Sequence, residues 1–124
     1  MDKILIVEDE QETADVIAKF LKRKGYDVDV SYDLSSGMNR FLSYYSIVLL
    51  DILLKGEKSF PLLKKIKEES PETVVIVVSA YDNDANITEA KRLGADGFIT
   101  KPVVSEYLES FLLSKINSLR RKKT

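Results

Sequence analysis

Short unbroken apolar runs alternate along the chain with stretches whose apolar residues recur every three to four positions. The runs are Ile4-Leu5-Ile6-Val7, Ile47-Val48-Leu49-Leu50, Val74 to Val78, and Phe98-Ile99. Their brevity and their β-branched residues suit strands covered on both faces. Asp27 to Tyr32 alternates instead, with Val28, Val30 and Tyr32 set against Asp27, Asp29 and Ser31. A period of two marks a half-exposed strand and predicts a sheet edge.

Between the strands the period is helical. Ala14, Ile17, Ala18 and Leu21 fall at i, i+3, i+4 and i+7, and Gly25 follows as a stop. Leu34 to Leu42 predicts a shorter helix with Asp33 as N-cap. Leu62, Leu63 and Ile66 predict a third, with Ser59 able to cap it and Pro61 tolerated in the first turn. Ile87, Ala90 and Leu93 mark a fourth, ended by Gly94, and Leu108, Phe111, Leu112, Ile116 and Leu119 a long last one. Strand and helix repeated five times predict an α/β fold with a parallel sheet and right-handed crossovers. No Pro/Gly/Ser-rich linker or repeat interrupts the pattern. One domain is therefore expected over residues 1–119, with 120–124 a basic tail or the start of a linker.

Composition narrows the chemistry. With 124 residues, 44% hydrophobic and 31% charged, the chain has the proportions of a globular domain with one core. Nineteen basic residues against 20 acidic ones leave no global field that would favour nucleic acid or anionic membranes. The chain has no cysteine and no histidine. That excludes disulfides, thiolate nucleophiles, the commonest general base and a phosphohistidine of its own. Catalysis or binding falls to carboxylates, hydroxyls, lysines and a metal held by oxygen. No segment approaches the ~20 apolar residues of a membrane span, and no signal-peptide pattern opens the chain, so a cytoplasmic location is expected.

In an open parallel sheet, ligands bind beyond the C-terminal ends of the strands, where the strand order reverses. The residues there are Glu8-Asp9, Asp51, Ser79-Ala80 and Lys101-Pro102. Each has an ordinary reading: charge at a helix start, a turn hydroxyl, a solvated lysine. Asp51 is harder to dismiss, because apolar residues flank it on both sides and a buried carboxylate needs a cation or hydrogen bonds. Together the groups say more. Adjacent carboxylates suit Mg²⁺ or Mn²⁺, and a lysine with a hydroxyl complements phosphoryl oxygens. An aspartate in such a site can act as the nucleophile and form an acyl phosphate.

Four elements in order carry a resemblance over essentially the whole chain: Ile4-Leu5-Ile6-Val7-Glu8-Asp9, Asp51 after its apolar run, Ser79-Ala80, and Gly97-Phe98-Ile99-Thr100-Lys101-Pro102. The chain resembles the chemotaxis-regulator-like receiver domain of two-component response regulators. That resemblance implies a (βα)₅ doubly wound, flavodoxin-like sandwich with sheet order 2-1-3-4-5. It makes Asp51 the phosphoacceptor, Asp9 a direct Mg²⁺ ligand, Glu8 a ligand mainly through water, and the Leu53 backbone carbonyl a further ligand. Ser79 and Ala80 would meet the phosphoryl oxygens, and Lys101 would pair with the aspartate and then the phosphate. The Lys101-Pro102 peptide is expected to be cis, and Phe98 matches the family's switch aromatic. The implied role is a signalling domain rather than an enzyme. It would take its phosphoryl group from a sensor histidine kinase or phosphotransfer protein. It would act on a downstream protein or fused output domain through the face of the fourth helix, fifth strand and fifth helix. Dimerisation through that face is left open, and no direct nucleic-acid or membrane contact is expected.

The chain departs from the family after the phosphoacceptor. Where a proline commonly stands four residues on, and an acid-glycine pair seven and eight on, it has Lys55, Lys58 and Ser59; Gly56 fits. Glu8 replaces the commoner aspartate. Leu53 and Tyr81, two beyond Asp51 and Ser79, are bulky and are expected to obstruct hydrolytic water and prolong the phospho-form. The fourth helix offers only Ile87, Ala90 and Leu93 to the core and is expected to have low local stability, below that of the first. Three rivals remain. A flavin binder is opposed by the loop Glu8-Asp9-Glu10-Gln11-Glu12, which repels a phosphate unless a metal intervenes. An aspartate-nucleophile phosphatase is opposed by Leu53, where its second aspartate should stand. A receiver-like interaction module that works without phosphate rests on the three departures.

Overall fold

The computed structural model describes residues 3–40, 45–80, 84–102, 108–114 and 117–118. The chain runs β1 (Lys3–Val7), α1 (Gln11–Arg23), β2 (Asp27–Ser31), α2 (Leu34–Arg40) and β3 (Ile47–Asp51). It continues through β4 (Leu53–Leu54), β5 (Glu57–Lys58), α3 (Phe60–Glu69), β6 (Val74–Ser79), α4 (Asp84–Arg92) and β7 (Gly97–Thr100). Residues 108–114 are helical (α5). Leu42, Tyr81, Ile116, Leu119 and the basic tail lie outside the described residues.

Five strands form one parallel sheet in the order β2-β1-β3-β6-β7. Counting only its own strands, this is the expected 2-1-3-4-5 order. From β1 the chain crosses outward to β2 and then returns past β1 to β3, so the order reverses between β1 and β3. The rim above those two strands is where Glu8, Asp9 and Asp51 emerge.

The unbroken apolar runs are explained by covering on both faces. Ile4 and Ile6 of β1 join Ala14, Ile17 and Leu21 of α1 and Leu108 of α5 in one core. Leu5 and Val7 join Leu62, Leu63 and Ile66 of α3 in the other. The Asp33 carboxylate caps α2 through the Ser36 N–H at 2.7 Å, as expected. α2 packs unusually close: a Cβ on buried Gly37 would lie 2.9 Å from Leu62 Cδ2 and 3.3 Å from Val7 Cγ1.

Three local expectations are corrected. Ser31 in the alternating edge strand is buried rather than outward, because its hydroxyl meets that of Ser36 at 3.1 Å and its carbonyl accepts the Glu8 N–H at 3.0 Å. Ser59 precedes α3 but makes no side-chain cap; its hydroxyl turns to the Asp51 carbonyl instead. Finally, β4 and β5 form an antiparallel hairpin with Leu53 opposite Lys58 and Leu54 opposite Glu57, which the apolar pattern did not predict. Its two turn residues, Lys55 and Gly56, have φ of 50° and 83°. Two positive φ angles define the tight hairpin turn that matches strand twist, and the glycine removes half of its steric cost.

Of the three apolar residues expected to anchor α4, Ala90 is buried, Leu93 packs from just beyond its end, and Ile87 stays half-exposed. A polar tie secures the far side of the sheet. The Asp96 carboxylate receives the Lys67 ammonium at 2.7 Å and the Val75 N–H at 2.9 Å, joining α3, β6 and the start of β7.

Candidate functional site

Four of the five sheet strands, all but the edge strand β2, deliver their expected groups at their C-terminal ends. The carboxylate oxygens of Glu8, Asp9 and Asp51 lie within 4.8 Å of one another, the arrangement of residues able to hold a cation among the described residues. Asp51 closes β3, only 6% exposed. Its Oδ1 accepts the Leu53 N–H at 3.3 Å and its Oδ2 accepts the Lys101 ammonium at 2.9 Å. Glu8, 3% exposed, pairs with the same ammonium at 2.5 Å through Oε1, while its Oε2 accepts the Glu10 N–H at 3.0 Å. Glu10 itself stands 3.6 Å from that ammonium and extends the cluster by a residue the sequence reading did not single out.

These neighbours shape the charges. Burial drives the Glu8 carboxyl up to about 7, against the opposing pull of Lys101. Burial alone would lower Lys101, but its bonds to Glu8 and Asp51 outweigh that and hold it firmly protonated. Asp9 feels a smaller burial cost and is lowered overall, chiefly by the Lys55 N–H, which donates to its Oδ2 at 3.0 Å. The oxygens of Glu8, Asp9 and Asp51, two of these acids paired with the Lys101 ammonium, make an all-oxygen donor set that fits Mg²⁺ or Mn²⁺ by chemistry and by spacing.

Ser79 ends β6, buried, and its carbonyl accepts the Lys101 N–H at 2.9 Å. The lysine's loop is thereby tied to the serine's strand. Ala80 is exposed beside it, and the Lys101-Pro102 peptide is cis as expected. Phe98 is half-buried in β7, packing toward the α3 and α4 side with the Lys91 ammonium 5.7 Å from its ring centroid. Leu53 is half-buried in β4. A groove of about 570 Å³ leads from Lys101, Pro102 and Ala80 along Thr13 and Val16 of α1. A wider groove of about 700 Å³ lies between α1 and β2, away from the acids. Sequence reading missed the Lys55 N–H and the Ser59 hydroxyl. The Lys55-Gly56 pair was a usable signal for the turn, but nothing in the sequence aimed the hydroxyl.

A doubly wound parallel sheet with acids, a hydroxyl and a lysine at its switch point defines a class, and comparison with known proteins supplies the family. The family model of the response regulator receiver domain matches residues 4–112. The transcriptional regulatory protein DltR of Streptococcus agalactiae serotype III (strain NEM316) is 36% identical over 107 residues, which are 86% of this chain and 48% of that protein. The response regulator ArlR of Staphylococcus aureus (strain Mu50) is 32% identical over 123 residues, 98% of this chain and 54% of its own. A CheY-like receiver domain protein of Methanospirillum hungatei JF-1 shares the fold with a TM-score of 0.87 at 26% identity, over 98% of each chain. The chain belongs to the response regulator receiver domain family, the signalling domains of two-component systems. It spans about half the length of the curated relatives it matches. Among the described residues no helix is long and apolar enough to cross a membrane.

Proposed function

We propose that the chain is a phosphoacceptor switch, with Asp51 as the residue that takes the phosphoryl group. The observation that carries this is the treatment of the Asp51 carboxylate: buried at a strand end, one oxygen on an ammonium, and two further carboxylates within 4.8 Å. Glu8, Asp9 and Asp51, with the Leu53 carbonyl, would hold Mg²⁺ or Mn²⁺, which when bound supplies positive charge to the phosphoryl oxygens.

In this reading an Asp51 oxygen attacks the phosphorus of a phosphohistidine on a partner protein. The new O–P bond forms as the P–N bond breaks, and the imidazole leaves carrying that electron pair and takes a proton from solvent. Lys101 stays protonated and moves its hydrogen bond from Asp51 toward the phosphoryl group, while the Ser79 hydroxyl and the Ala80 backbone complete its contacts. In this reading the phosphohistidine donor is a sensor histidine kinase or phosphotransfer protein, the partner that the receiver-domain family implies. The groove from Pro102 to Val16 opens beside Lys101 and suits its approach. The output is a downstream protein or a fused domain read from the face of α4, β7 and α5, in the cytoplasm, with a homodimer on that face as one form. Leu53 and Tyr81 slow hydrolysis; replacing both by small polar residues speeds loss of the phosphoryl group, and an unchanged rate sinks that clause.

Intact mass after incubation with Mg²⁺ and acetyl phosphate tests the central claim. The wild type gains one phosphoryl group and Asp51→Asn gains none. A gain by both assigns the phosphate elsewhere. No gain by either, repeated with a phosphorylated histidine-phosphotransfer protein as donor, leaves the phosphate-independent interaction module as the better account.

A further inference from the structure

Residues 51–59 leave the sheet at Asp51, turn through the β4–β5 hairpin and re-enter the core at α3. Ser59 closes this excursion twice. Its N–H donates to the Ile52 carbonyl at 2.7 Å, and its hydroxyl donates to the Asp51 carbonyl at 2.5 Å. The side chain is 1% exposed, so water cannot substitute for it. Ser59 is itself held by α3, because its carbonyl accepts the N–H groups of Leu62 and Leu63 at 3.0 and 3.2 Å, and both leucines are buried. The start of α3 is thereby bolted to the backbone of Asp51.

The other end of the same hairpin reaches a second acid. At its turn Lys55 adopts a φ of 50° and presents its N–H to Asp9 Oδ2 at 3.0 Å. A proline at this position would have no N–H to give, and a glycine in place of Ser59 would have no hydroxyl. Both departures thus add a donor that bears on the acidic cluster. A helix cap is the ordinary use for a serine here, yet the Ser59 side chain makes no cap bond.

We propose that Ser59 is a positioning residue for the acidic site: its hydroxyl fixes the base of the β4–β5 hairpin, and the hairpin carries the Lys55 N–H to Asp9, so that Asp9 and Asp51 keep the spacing one cation needs. This rests on the reading of Glu8, Asp9 and Asp51 as the Mg²⁺ site. Losing one buried hydrogen bond corresponds to an effect of about three- to tenfold.

The test uses the whole chain as wild type, Ser59→Ala and Ser59→Gly. Mg²⁺ affinity is read by calorimetry, and amide exchange of Lys55 by NMR on the metal-free protein. Both variants are expected to bind Mg²⁺ about three- to tenfold more weakly. Lys55 exchange rises while the amides of β1 and β6 stay as protected as before. At saturating Mg²⁺, phosphorylation by acetyl phosphate returns to the wild-type rate, a split that general loosening of the fold does not produce. Wild-type affinity with unchanged Lys55 exchange in both variants overturns the proposal. So does unfolding of both, which would make Ser59 a stability residue. Should the wild type take up no Mg²⁺, the metal-site reading fails, and Lys55 exchange alone still decides whether Ser59 holds the hairpin.

Discussion

Tyr45 shows how a single residue beneath the sheet is held by chemistry rather than by packing alone. Its hydroxyl donates to Asp29 Oδ2 at 2.7 Å, and Lys3 and Arg40 stand at 3.5 and 3.7 Å from the same oxygen. Burial and the neighbouring carboxylate push the phenol up to about 12. Tyr45→Phe should cost about 1 kcal/mol at neutral pH, measured by urea denaturation. The sign with pH follows from linkage. Below the ordinary tyrosine value of about 10 the phenol is neutral in folded and unfolded chains alike, and the hydrogen bond counts in full. Between about 10 and 12 the unfolded chain ionises first, so stability falls as pH rises, and the variant should lack that part of the decline. An equal decline in both proteins would contradict it. Asp51 was legible as a site residue because a carboxylate amid Ile47 to Leu54 demands partners. The Ser59 hydroxyl was not, because its acceptor depends on a turn between them that periodicity does not encode.

At the scale of elements, the contrast between α2 and α4 follows from what each helix gives the core. In α2 the contact is so close that a Cβ on Gly37 would lie 2.9 Å from Cδ2 of the buried Leu62, which must shift to admit a methyl group. Alanine in a helix normally stabilises relative to glycine by about 1 kcal/mol. Here overpacking should reverse the sign, and Gly37→Ala should lower stability by about 1–3 kcal/mol in urea denaturation. A stabilised variant would show that α2 can move outward at little cost. α4 offers the core Ala90 alone as a buried residue, whereas α1 offers Ala14, Ile17, Ala18 and Leu21. Amide exchange should therefore be faster in α4 than in α1, and equal protection of the two would remove the case for α4 as the yielding element. α1 and α3 were readable because their four and three buried residues impose a helical period. The hairpin of β4 and β5 was hidden, since two residues per strand are too few to show one and only Lys55-Gly56 marked the turn.

For the molecule as a whole, the proposed phosphorylation at the rim would act on α4 and β7 only through connections that the sheet provides. The sheet order was legible from the alternating edge segment together with the family resemblance, and it puts the acids on β1 and β3 with β6 between them and β7. Two covalent neighbours link that rim to β7. Ser79 lies opposite Thr100 in the ladder, and its carbonyl holds the Lys101 N–H at 2.9 Å. Lys101 is at the same time the cation shared by Glu8 and Asp51. Any step that draws the ammonium toward a phosphoryl group on Asp51 therefore pulls on the end of β7, where Phe98 lies half-buried with Lys91 of α4 over its ring. α3 is braced by three buried residues and by the Lys67–Asp96 pair just before β7, and α1 by four buried residues, so in the proposed reading a pull on β7 would yield first at α4. Exchange measured with Mg²⁺ and acetyl phosphate should change across α4 and β7 and leave α1 and α3 as they were. Asp51→Asn should show no such change. A response confined to the rim residues would mean that the Lys101 connection does not transmit, and that the output is read beside the acids themselves.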